Sequence, residues 1–104
     1  MLRTGYSGAS GVLRRAVVED PSFGVAWIAL AVSLSAEGRI AESASCADAA
    51  AIHARAASRR ERQHVEIIDL VLRRDHRRAR VLLREHLVEF PTDLFLGFLA
   101  DQVA

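Results

Sequence analysis

The chain has little of what stiffens or staples small proteins. Its 104 residues include one cysteine, two prolines and no lysine, and aromatics make up only 6%. A single thiol, Cys46, excludes an internal disulfide framework and fits a reducing compartment. β-Branched residues and prolines are too sparse for a sheet protein, so the composition predicts an all-α domain with one core. The N-terminal MLRTGYSGASGVLRR lacks an apolar stretch of signal-peptide length, and the uncharged run 24–36 falls short of the roughly 20 residues of a membrane helix. A cytoplasmic protein with no membrane association is expected.

Arginine supplies the whole basic side. The net charge is +1, but 55–84 carries ten arginines against Glu61, Glu66, Asp69 and Asp75, whereas 85–104 carries only acidic charges. Charge is therefore segregated along the chain, with consequences for any docking surface.

Helical periodicity and caps divide the chain into about six helices. Leu13, Ala16 and Val17 predict a first helix over about 9–19, stopped by Pro21. Ser22 is a candidate N-cap for a second helix, about 23–36, followed by Gly38 as a left-handed stop. An alanine-rich third helix, about 40–55, allows close approach of a neighbour. Ser58 with Glu61 reads as a capping box for a fourth helix to about Arg73; Asp75 caps a fifth, about 76–89; and Thr92 after Pro91 caps a sixth, about 93–103. The short connections predict antiparallel hairpins.

Trp27, Leu30, Ala31 and Leu34 stand at W-x2-L-G-x2-Y spacing. Ala9, Leu13 and Ala16 before Pro21, and Ala79 and Leu83 before Pro91, follow A-x3-F…P. In these residues the chain resembles the tetratricopeptide repeat family, with degenerate repeats. Ser43 and Ala47 take the A-x3-F places of the central unit, which lacks its closing proline; the next unit has no aromatic at the Trp place and no glycine near Arg74. The resemblance implies a single domain over 1–104, a short solenoid divided as a half repeat (9–21), two repeats (22–57 and 58–91) and a further half repeat (92–104).

Catalytic and metal chemistry find little support. Cys46 and His53 are too far apart along one helix, about 10 Å, for a nucleophile and its base. The four histidines fall at spacings that suit no helical ligand pair, so no metal or cofactor is expected. Glu66 and Asp69 are better read as partners of Arg62 and Arg73. The resemblance implies a non-catalytic protein-protein interaction module, with an unidentified protein partner.

Three surfaces are candidates. The resemblance places a concave groove on Val25, Ile28, Val32, Ser35 and Ala36; these residues are nearly all apolar, and neighbouring helices could instead cover them. Arg73, Arg74, Arg77, Arg78 and Arg84 form a candidate basic surface, through which a small dimeric regulatory protein, the alternative to the interaction module, would bind an acidic partner or nucleic acid; a solvated face is the plainer reading, and nucleic acid is disfavoured because no aromatic interleaves the arginines. Phe95, Leu96, Phe98, Leu99 and Val103 form a candidate self-association edge, through which the chain would form homo-oligomers or, as part of a longer repeat protein, continue its stack.

Overall fold

The computed structural model describes residues 4–93 and Leu96, with side chains from residue 10 onward. Five helices account for nearly all of it: α1 Thr4–Glu19, α2 Gly24–Ala36, α3 Ile40–Ala54, α4 Arg59–Leu72 and α5 His76–Glu89. No strand occurs among the described residues. The all-α expectation holds. The sixth helix falls outside the described residues, apart from Leu96, which is helical.

Helix α1 starts five residues earlier than its apolar periodicity predicts and runs through Gly5, Gly8 and Gly11. Each helical glycine costs roughly 0.5–1 kcal/mol relative to alanine, so α1 depends on its packing against α2. Buried Ser10 supplies part of that contact, lying 3.3 Å from the Ser33 hydroxyl and donating to Glu37. Glu37 and Glu42 both pair with Arg39, and Arg14 joins Glu42, tying α1 to the α2/α3 turn.

The two hairpin turns repeat. Arg39 N–H donates to Leu34 C=O (2.9 Å) and Gly38 N–H to Ser35 C=O (3.0 Å), while 36 residues on Asp75 N–H donates to Leu70 C=O (2.9 Å) and Arg74 N–H to Val71 C=O (3.0 Å). Both are Schellman closures, and both need a left-handed residue. Gly38 supplies it at φ 81°, Arg74 at φ 65°. The proline turns also correspond, 70 residues apart: Asp20 N–H donates to Ala16 C=O and Phe23 N–H to Asp20 C=O, as Phe90 does to His86 and Asp93 to Phe90.

Caps are mixed. Ser58 Oγ accepts from Glu61 N–H and Asp75 Oδ1 from Arg78 N–H, as the sequence predicts. Ser22 instead donates to Asp20, leaving Phe23 at the α2 N-cap with no side-chain hydrogen bond. Beyond Pro91, Asp93 Oδ1 accepts from Leu96 N–H, a cap-type bond one residue past the expected Thr92; the N–H groups that Thr92 would cap lie outside the described residues.

Helix α2 is the hub, packing on α1, α3 and α4. Its seam with α3 is made close by small residues: a Cβ on Gly24 would sit 3.1 Å from Ala50 O and 3.3 Å from Ala54 N. Ser43 Oγ donates to Ala31 C=O (2.7 Å) inside the same seam. Ile28, Leu30, Leu34, Ile67 and Leu96 fill the core around α2 and α4. Trp27 sits at the rim, its indole N–H on Pro21 C=O (2.7 Å) and its ring stacked on His53.

Candidate interaction groove

An apolar depression of about 320 Å³ lies between α2 and α4, lined by Val25, Ile28, Ala29, Val32, His64 and Ile68. Helical spacing explains its composition: Val25, Ala29 and Val32 are i, i+4, i+7 on α2, and His64 and Ile68 are i, i+4 on α4. Ile28 and Ile68 are buried and form its floor, whereas Val32 remains 38% exposed at its rim. A second depression of about 400 Å³ shares Val25 and His64 with the first and adds Phe23, Ser58, Arg60, Glu61 and Asp93. The two meet along α4, giving one groove with an apolar half and a polar half.

Of the concave positions expected from sequence, Val25, Ile28 and Val32 line this groove together. Ser35 does not join them: it lines a smaller cavity of about 100 Å³ with Ile40, Ser43, Asp69 and Arg73, beside the α2/α3 turn. Ala36 is exposed at the end of α2. Ala29, His64 and Ile68 escaped the sequence reading, because only the packing of α4 across α2 shows which of its faces adjoins the α2 stripe.

The polar half is organised by Asp93. Its Oδ2 lies 2.9 Å from His86 Nε2 and 3.7 Å from Arg60 Nε, and its Oδ1 accepts from Leu96 N–H. His86 is fully buried, with Nδ1 2.7 Å from Gln63 Oε1, its ring against Phe90, and the Arg60 guanidinium 5.9 Å from the Phe90 centroid. Burial pushes the Asp93 carboxyl up, but the hydrogen bonds from His86 and Leu96 and the nearby histidines leave it below the ordinary carboxylate range. His64 moves the other way: burial drives it below the ordinary histidine value of 6.5, against the pull of Asp93.

This His/Asp pair resembles half of a catalytic triad, yet it has no nitrogen to offer. Both ring nitrogens of His86 are engaged inside the core, so the imidazole has no free nitrogen for a substrate. His53 stacks on Trp27, and Cys46 is buried, which raises its thiol out of the reactive range. Among the described residues no group of three or more His, Cys, Asp or Glu could hold a metal ion, and no helix is long and apolar enough to cross a membrane.

The basic surface is partly neutralised. Arg73 bonds Asp69 and Asp48, and Arg78 lies 3.7 Å from Asp75; Arg74, Arg77 and Arg84 are exposed. Arg62 turns to Ala57 C=O (2.6 Å). Leu96, expected on an exposed edge, is instead fully buried in the core. Phe95, Phe98, Leu99 and Val103 lie outside the described residues. Compared with known proteins, the chain matches no protein-family model, no curated protein and no solved structure.

Proposed function

We propose that the chain is a tetratricopeptide-like, non-catalytic interaction module of the cytoplasm, and that its α2/α4 groove takes an uncharged apolar segment of a partner protein. The observation that carries this reading is the lining itself: among the described residues, five aliphatic side chains and one imidazole border about 320 Å³, with no formally charged residue among them except as His64 ionises. Such a wall offers little to a charged or sugar-like ligand and rewards an apolar side chain through desolvation, at roughly 25 cal/mol per Å² buried. Repetition of the hairpin closure at 36 residues and of the proline turn at 70 supports the repeat reading, in which first helices of successive units line a shared face. Polar groups at the Arg60 end would then fix the direction of the bound segment.

The alternative, a regulator docking an acidic partner on the arginine surface, is weakened because Arg73 and Arg78 already have carboxylate partners. The two readings separate experimentally. Short peptides selected against the immobilised chain should carry apolar anchors and shift the methyl resonances of Val25, Val32 and Ile68. Ala29→Trp, which fills the groove, should abolish their binding without loss of helicity, and Arg77→Ala with Arg78→Ala should leave it intact. Peptides that are acidic, or that survive Ala29→Trp, would overturn the groove reading.

A further inference from the structure

We propose that His64 is the specificity-determining residue of the α2/α4 groove: its neutral imidazole completes an uncharged wall that accepts an aliphatic or aromatic side chain of a partner, and its protonation expels that side chain. The inference rests on the groove reading above and adds to it a class of ligand and a condition for binding.

Among the described residues that line the apolar half, His64 is the one titratable group, and it is also shared with the polar half. From α2 it faces only Val25, Ile28, Ala29 and Val32 across the cavity. Among the described residues, the charged groups that act on it come from elsewhere: Arg60 and Glu61 on α4, His86 on α5, and Asp93 beyond α5. Arg60 and His86 oppose a second cation, whereas Asp93 and Glu61 favour one. Asp93 is already shared between His86, Leu96 N–H and the nearby Arg60, so little of its charge is free to compensate a new one. Burial outweighs the attraction even with the groove empty, and holds His64 below 6.5.

An apolar occupant removes further water from the imidazole and so disfavours the cation more strongly. Linkage then fixes the sign. Occupancy lowers the His64 pKa, and protonation lowers the affinity for the occupant by the same factor. Binding is fully present above the pKa of the empty groove and falls on acidification, by up to about tenfold per pH unit, until the pKa of the occupied groove is reached. An anionic occupant would show the reverse slope.

The test uses the whole chain and N-phenyl-1-naphthylamine, a probe that stays neutral across the range. At neutral pH its binding should shift the Val25, Val32 and Ile68 methyl resonances, and its affinity should fall several-fold as pH drops below 6.5. His64→Leu should bind the probe with no such slope, with far-UV circular dichroism confirming the fold over the same range. Independently of any variant, the His64 ring resonances should titrate below 6.5 in the free protein and lower still with probe present. A His64→Leu protein that keeps the slope, or a His64 titration unmoved by the probe, overturns this inference while leaving the groove reading in place. Failure of the probe to touch those methyls at neutral pH overturns both.

Discussion

The hairpins α2/α3 and α4/α5 close with the same hydrogen bonds, 36 residues apart, yet they are filled by opposite means. In the first, Gly24, Ala47, Ala50 and Ala54 bring the backbones close, and a single buried hydroxyl, Ser43, pins α3 to Ala31 C=O. In the second, Ala79 and Leu83 are buried on the inward face with His86, whose ring holds together α4, α5 and the turn after Pro91. A backbone pattern can thus be kept while the seam changes from small and apolar to large and polar. The first hairpin is sensitive to added volume and the second to lost partners.

The comparison breaks most easily at His86. His86→Ala leaves the Asp93 carboxylate buried without its main partner and opens a cavity, so a loss of about 3–5 kcal/mol is expected in urea unfolding. The wild-type pair also predicts an acid limb. Because Asp93 titrates below its ordinary value of 3.8 in the folded chain, its contribution is present above that pH and is lost as pH falls through the folded pKa; the variant should lack most of this limb.

At Gly24 the first seam should fail by crowding. Gly24→Val places new carbons against Ala50 and Ala54 and should cost about 1–3 kcal/mol, whereas alanine-to-glycine changes on the exposed face of α3, such as at Ala44, should cost only about 1 kcal/mol. Equal losses from Gly24→Val and Ala44→Gly would mean that the seam is looser than the 3.1 Å approach implies.

The smallest effects belong to the turns, and they should have opposite signs. Arg74→Gly relieves a left-handed arginine and should stabilise by up to about 1 kcal/mol, while Gly38→Ala should destabilise by about 1 kcal/mol. Both are measurable as shifts in the midpoint of thermal unfolding. A destabilising Arg74→Gly would show that the side chain contributes more than its backbone conformation costs.

The parts legible in the sequence were those decided locally. Gly38, Ser58 with Glu61, and Asp75 mark helix ends because the relevant bonds join residues three to five apart. Where local choices competed, the structure chose: Ser22 donates to Asp20 instead of capping α2, and Asp93 accepts from Leu96 N–H with one oxygen while the other meets His86. The glycines near the start of α1 look like a loop until Ser10 is seen against Ser33 and Glu37. His86 carried a signal that helical spacing alone exposes, since it continues the inward stripe of Ala79 and Leu83 at i, i+4, i+7. Its partner Asp93 lies beyond the proline, where the chain reverses and helical periodicity no longer predicts neighbours. The groove was half legible for the same reason: the α2 stripe is periodic, but its α4 wall depends on how two hairpins stack.

Trp27 gives the molecule an internal optical probe. It is the only tryptophan, its indole N–H is fixed on Pro21 C=O, and its ring stacks on His53 with a 9° interplanar angle and 6.2 Å between centroids. Loss of the Pro21 contact or of the stack would move the indole into water, so the emission wavelength reads the integrity of the α1/α2 turn and of its packing on α3, without a label.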